Sequence, residues 1–115
     1  MIVMDTERFC EYRIMWLFVF FDLPVETKKE MRVASDFRKT LLRDGFIMFQ
    51  FSVYVRHCPS KENADVHLKR VKAMIPSEGQ VCILTVTDKQ FGEMVRFIGN
   101  RPRPPEVPGM QLEFF

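Results

Sequence analysis

The feature that most constrains the fold is a run of eight apolar residues that stops at an acid and a proline. In the segment IMWLFVFFDLPVETKKE, residues 14–21 are too few for a buried helix and rich in β-branched and aromatic side chains, which predicts an interior strand. Pro24 breaks the strand, and Thr27 followed three residues later by Glu30 has the spacing of a helix capping box. The segment therefore predicts a strand that leads directly into a helix, with Asp22 at the junction.

The rest of the chain continues this alternation of strands and helices. The predicted elements that follow are a helix at 25–43, two strands within 46–58 divided near 50–52, a helix within 59–76, a strand at 80–87, a helical turn at 88–92 and a strand at 94–99. The order β-α-β-β-α-β, with two amphipathic helices available for one face of the sheet, predicts an α/β (α+β) sandwich of the ferredoxin-like kind.

Both long helices carry an apolar stripe at helical spacing, which is typical of a helix that lies on a sheet. The residues predicted to face the sheet are Met31, Ala34, Phe37 and Leu41 in the first helix and Ala64, Leu68, Val71 and Ile75 in the second.

The two ends of the chain differ from this central domain, which we expect to span 14–99. Residues 1–13 show no clear period and are interpreted as an N-terminal arm, and 100–109 form a proline-rich linker. Beyond the linker, MQLEFF at 110–115 alternates apolar and polar residues and predicts an extra C-terminal strand. The stiff linker favours pairing of this strand with the sheet edge of a partner subunit in a homodimer. Folding back onto its own domain is the alternative.

Composition and motifs exclude several classes of protein. Lys and Arg exceed Asp and Glu by 17 to 15, and this net charge of +2 is too small to establish a nucleic-acid partner. The longest apolar run is far short of the ~20 residues that cross a bilayer, and the N-terminus is unlike a signal peptide, so we expect a cytoplasmic protein without membrane contact. The sequence contains no Walker loop, H-E-x-x-H, G-x-S-x-G or G-x-G-x-x-G motif.

The first helix concentrates positive charge on one side. Projected at ~100° per residue, Lys28, Arg32, Lys39 and Arg43 fall within an arc of about 60°, opposite the apolar stripe. A solvated helix face usually mixes charges more evenly. This basic ridge therefore favours contact with phosphate groups of a nucleic-acid backbone, independent of base sequence.

Asp22 allows two interpretations. An acid between a strand and a helix is often a cap or turn residue. One carboxylate is also a poor site for Mg²⁺, which prefers several oxygen ligands. In a twofold dimer, however, two copies of Asp22 could share a cation that activates water for phosphodiester cleavage.

Five segments together resemble the CRISPR-associated Cas2 family, in the form found in type II systems. They are WLFVFFDLP, FRKTLLRDGFIMFQFSVYVRH, ENADVHLKRVKAMIP, ILTVTDKQF and the closing QLEFF, and the resemblance extends over roughly residues 14–115. The resemblance implies a ferredoxin-like homodimer that joins the partner integrase Cas1 and holds double-stranded DNA during spacer acquisition.

The resemblance also implies candidate site residues. Members of the family are described as Mg²⁺-dependent endonucleases that act on RNA or DNA, with the aspartate after the first strand as the metal-binding and catalytic residue, here Asp22. The family's Ser-Val-aromatic element is matched by Ser52, Val53 and Tyr54, which implies a supporting role for Ser52 and Tyr54. The family often has tyrosine before the aspartate, whereas this chain has Phe21.

Overall fold

A computed structural model describes residues 13–103 of the chain. The elements are β1 (Met15–Asp22), α1 (Lys28–Arg43), β2 (Ile47–Gln50), β3 (Val53–Cys58), α2 (Lys61–Met74), β4 (Gln80–Thr87), α3 (Asp88–Gly92), β5 (Arg96–Ile98) and β6 (Arg101–Arg103). The predicted β-α-β-β-α-β order is confirmed. The predicted arm, except for Arg13, and the predicted strand at 110–115 lie outside the described residues.

Four strands form an antiparallel sheet in the order β2-β3-β1-β4. The apolar strand β1 lies in the interior, paired along its length with β4 and from Met15 to Phe20 with β3. Its last residue, Asp22, is opposite Gln80, the first residue of β4. This topology is consistent with the ferredoxin-like fold, and it brings Asp22 to one end of the sheet.

The two long helices cover one face of the sheet. The core on this face contains Leu17, Val19 and Phe21 of β1 together with Ala34, Phe37 and Leu41 of α1 and Ala64 and Val71 of α2. The helices therefore bury every second side chain of β1, because successive side chains of a strand point to opposite faces of the sheet.

Two members of the predicted stripes are not buried. Met31 is 48% exposed, because at ~100° per residue it lies roughly 90° from the centre of the buried stripe of α1. Ile75 is 41% exposed, because it is the C-cap of α2 with an extended backbone and no longer follows the helical period. The prediction that these two residues face the sheet is wrong.

The opposite face of the sheet is covered at one end by α3. The indole ring of Trp16 stacks on Phe91 of α3, with ring centroids 3.9 Å apart and planes 7° apart. Trp16 Nε1 also donates a hydrogen bond to Asp88 Oδ1 at 2.7 Å. The helix starts with a capping box formed by Thr87 and Gln90, so this short element is well fixed.

A small hairpin follows α3. Strands β5 and β6 pair across Gly99, which has a φ of +62°, and Asn100. A two-residue connection with a left-handed residue suits a tight hairpin. The structure differs here from the predicted linker at 100–109, because residues 101–103 are a strand. Within the described part of the chain, no helix is both long enough and apolar enough to span a bilayer.

Candidate nucleic-acid and metal site

Asp22 is exposed at the end of β1 and borders an open depression of about 280 Å³. This Asp22 depression is also lined by Phe20, Phe51, Ser52, Gln80 and Cys82. The structure therefore brings Ser52, predicted to support the site, next to Asp22.

Asp22 does not cap the helix that follows it. Thr27 Oγ1 accepts a hydrogen bond from the Glu30 backbone N–H at 3.0 Å, and Glu30 Oε1 accepts one from the Thr27 N–H at 3.0 Å. The predicted capping box is confirmed, and the alternative that Asp22 is the helix cap is wrong. Among residues 13–103, no side-chain hydrogen bond or ion pair involves the Asp22 carboxylate.

The backbone around Asp22 is held from two sides. On one side the Phe21 N–H donates to the Ser52 carbonyl oxygen at 3.1 Å, and Ser52 has a φ of +66°, which is uncommon for a residue other than glycine. On the other side Gly79 has a φ of +91°, and a Cβ atom there would lie 2.7 Å from the Asp22 carbonyl oxygen. Only glycine allows the α2–β4 loop to approach Asp22 this closely.

Tyr54 and Phe21 belong to the core, and Phe21 also borders the Asp22 depression. Tyr54 is buried on the helix-covered face, with its ring centroid 5.7 Å from that of Phe21. Phe21 packs edge-on against Phe37 of α1 at 5.1 Å. Tyr54 contacts Phe21, the residue before Asp22, and its supporting role stays a prediction.

The described residues of one chain do not form a complete metal site. No group of three or more His, Cys, Asp or Glu side chains suited to a metal ion occurs within 13–103. The residues that line the Asp22 depression include three with oxygen-bearing side chains, Asp22, Ser52 and Gln80, which is the ligand chemistry that Mg²⁺ prefers, and one thiol, Cys82, which is not. The three oxygen-bearing side chains fit part of a magnesium site and require further ligands from water, substrate or a second subunit.

The four cations of the basic ridge are all exposed on α1. No carboxylate within the described residues forms an ion pair with any of them, and Arg43 donates a hydrogen bond of 3.3 Å to Thr40 Oγ1. Because the opposite side of α1 carries the buried Ala34, Phe37 and Leu41, the ridge points away from the sheet. Its charge is available to a partner of opposite sign.

Two residues beside the Asp22 depression were not predicted from the sequence. The Arg38 guanidinium lies 5.4 Å from the centroid of Phe21 and 5.1 Å from that of Phe51. Phe51 is 81% exposed at the turn between β2 and β3. The only signal in the sequence was the predicted division of the strands at 50–52, because Arg38 and Phe51 meet only after α1 packs on the sheet.

A second polar cluster ties the two helices together. Asp44 Oδ2 lies 2.8 Å from His67 Nδ1, and Asp44 Oδ1 accepts a hydrogen bond of 2.8 Å from Arg70. Burial raises the pKa of Asp44, but its hydrogen bonds with His67 and Arg70 outweigh burial and hold the pKa below 3.8. This ionised carboxylate has a structural role, in contrast to Asp22.

Comparison with known proteins identifies relatives of this chain. The family model described as CRISPR associated protein Cas2 matches residues 15–94. A protein named CRISPR-associated endoribonuclease Cas2 from Flavobacterium psychrophilum is 53% identical over 108 residues, covering 94% of each chain. Proteins of the same name from Parvibaculum lavamentivorans and Paracidovorax avenae are 48% and 42% identical, covering 88% and 90% of this chain and 100% and 96% of their own. The chain therefore belongs to the CRISPR-associated Cas2 family.

Proposed function

We propose that this chain is a nucleic-acid-binding subunit of the CRISPR adaptation machinery. As a homodimer, it holds double-stranded DNA together with the partner integrase subunit Cas1 while a spacer is acquired. The observation that carries the proposal is the basic ridge, whose four cations are exposed and free of carboxylate partners within residues 13–103. Membership of the Cas2 family supports the CRISPR context.

The dimensions of the ridge suit a duplex backbone. From Lys28 to Arg43 the ridge extends over roughly 22 Å at ~1.5 Å per residue. Duplex DNA carries one negative charge per ~1.7 Å of axis, so a ridge of this length reaches several phosphates. Phosphate contacts carry no sequence information, which suits a subunit that must accept spacers of any sequence. A dimer provides two ridges.

Replacing the four ridge cations with glutamine tests this proposal. We expect weaker binding to all duplexes and a flatter salt dependence, with the slope reduced by about one unit for each phosphate that the variant no longer neutralises. Fluorescence anisotropy at several salt concentrations measures both, and circular dichroism checks folding.

A variant in α2 controls for the loss of surface cations at a different place on the protein. Lys61, Lys69 and Lys72 are also exposed, and their replacement by glutamine removes three cations from a different surface. If the ridge binds DNA, this control keeps most of the wild-type salt slope. A reduction in the α2 variant equal to or greater than that of the ridge variant would contradict the ridge proposal and place the DNA on α2.

The second candidate function is metal-dependent cleavage of RNA or DNA at Asp22. It is favoured by the exposed carboxylate of Asp22, which has no side-chain partner within residues 13–103, and by the name endoribonuclease carried by the relatives. Asp22 from each subunit would hold Mg²⁺, with Ser52 at the rim of the same depression. A bound Mg²⁺ supplies Lewis-acid stabilisation and an activated water.

Asp22→Asn separates the two functions. The substitution removes a ligand without changing core volume, so cleavage in Mg²⁺ should fall by at least about 100-fold while duplex binding and stability stay unchanged. Asp65→Asn, at an exposed acid on α2, is the matched control. Spacer acquisition that continues in the Asp22→Asn variant supports the DNA-holding role; loss of acquisition together with cleavage supports the nuclease.

A further inference from the structure

Phe51 is the most exposed large apolar side chain in the described part of the chain, at 81%. It lies in the two-residue turn between β2 and β3 and borders the Asp22 depression. Its neighbour Ser52 has a φ of +66° and accepts a hydrogen bond from the Phe21 N–H, which anchors this turn to β1. The ring is therefore displayed on a fixed piece of backbone.

Arg38 holds the phenyl ring from one side. Its guanidinium lies 5.1 Å from the centroid of Phe51 and 5.4 Å from that of the buried Phe21, so one cation bridges an exposed and a core aromatic ring. A guanidinium above an aromatic face is attracted by the ring quadrupole. Because one cation covers one face, and most of the ring is exposed, the other face is available to a second planar group.

We propose that Phe51, supported by Arg38, is a stacking platform for the base of an unpaired nucleotide next to Asp22. The inference rests on the nucleic-acid binding proposed above and adds a contact to a base, whereas the basic ridge contacts only phosphates. Stacking of a base on an aromatic side chain changes affinity by about 5- to 150-fold and is tolerant of base identity.

The position of Arg38 connects the platform to the ridge. On the α1 helix, at ~100° per residue, Arg38 lies roughly 80° from Lys28, between the buried stripe and the ridge. A strand whose phosphates follow the ridge can therefore pass Arg38 and place a base on Phe51. Bases inside a duplex are already stacked on both faces, so only an unpaired base can use the platform.

The test compares binding of single-stranded and duplex oligonucleotides that contain 2-aminopurine. We expect Phe51→Leu to weaken single-strand binding by at least about fivefold, to abolish the quenching of 2-aminopurine, and to leave duplex affinity within about twofold. Phe51→Trp should retain binding and quenching because it retains a ring. Arg38→Gln should weaken single-strand binding less than Phe51→Leu. The matched control Phe97→Leu, at a ring 58% exposed on β5, should change neither measurement.

Three results would overturn the platform. The first is unchanged single-strand affinity and quenching in Phe51→Leu while the wild type binds both nucleic acids. The second is an equal loss of single-strand and duplex binding together with a change of mass by light scattering, which would assign Phe51 to a subunit interface. The third is failure of the wild type to bind duplex or single strand, which overturns the proposed function as well. Retained duplex binding thus distinguishes failure of the platform from failure of the proposed function.

Discussion

The two ends of strand β1 have similar residues around them, but one end is buried and the other is exposed. At the first end Trp16 is fully buried beneath α3, stacked on Phe91 and hydrogen-bonded to the carboxylate of Asp88. At the last end Phe20 is 37% exposed, and the carboxylate of Asp22 has no side-chain partner within residues 13–103. Each end has an aromatic ring and an acid, but only the first end is closed by the chain's own short helix.

This difference separates stability from function along a single strand. The closed end satisfies its polar groups internally, as buried groups must be. The open end leaves a carboxylate, a hydroxyl and an exposed ring at the surface of one depression. We therefore expect substitutions at the closed end to lower the free energy of unfolding, and substitutions at the open end to change nucleic-acid chemistry first.

The largest expected effect is at the closed end. Trp16→Ala removes a fully buried ring and a hydrogen bond, and should lower the free energy of unfolding by about 3–5 kcal/mol. Phe20→Ala, the matched variant at the open end, removes a ring that is only partly buried and should cost roughly 1–2 kcal/mol. Urea denaturation measures both; equal losses would show that the two ends are packed alike.

An intermediate effect is expected where the α2–β4 loop approaches the open end. Gly79→Ala places a methyl group against the Asp22 carbonyl oxygen and imposes a positive φ on alanine, at a cost of about 1–3 kcal/mol. If Mg²⁺-dependent cleavage at Asp22 occurs, its rate should fall by about tenfold or more, because small misplacements of a catalytic group are costly.

Gly92→Ala is the control for this prediction. A Cβ at Gly92 meets no atom within 4 Å, and Gly92 has no positive φ, so both stability and cleavage should stay near wild type. Parallel losses of activity in the two variants would contradict a specific role for Gly79 in placing Asp22.

The smallest effect concerns pH at the closed end. Burial lowers the pKa of His57, partly offset by Asp88, and its ring packs edge-on against Trp16 at 5.1 Å. The unfolded chain therefore takes up this proton near pH 6.5, before the folded chain does, so stability should decrease as the pH falls below 6.5. The slope should be less than about 1.4 kcal/mol per pH unit for one group.

His57→Phe isolates this contribution. The urea midpoint of the wild type should fall relative to that of the variant as the pH decreases below 6.5, and a constant difference from pH 8 to 5 would contradict the assignment. Asp44 affects stability in a different pH range. Because its pKa is lowered in the folded chain, its contribution to the free energy of unfolding is present above pH 3.8 and is lost as the pH falls through the folded-state pKa.

Local sequence patterns predicted most of the fold because helix caps, turns and strands are determined largely by interactions between residues close in sequence. The capping box of Thr27 and Glu30 and the division between β2 and β3 depend on neighbouring residues, and both are confirmed. The exposure of Met31 shows the limit: a spacing of three keeps a residue near the buried stripe without placing it on the stripe.

The candidate site was only partly visible in the sequence. The position of Asp22 at a strand end follows from the apolar run before it, and the ridge follows from helical projection. The pair of Arg38 and Phe51 depends on how α1 packs beside the β2–β3 turn, and the cluster of Asp44, His67 and Arg70 joins residues 23 and 26 positions apart. Such contacts exist only in the folded molecule.

The capping box at the start of α1 has an evolutionary consequence. Because Thr27 and Glu30 form the capping box, the start of α1 does not depend on the carboxylate of Asp22. Replacement of this acid during evolution therefore requires no compensating change at the start of the helix. A cutting protein and a non-cutting one could share this architecture and be separated by a single codon.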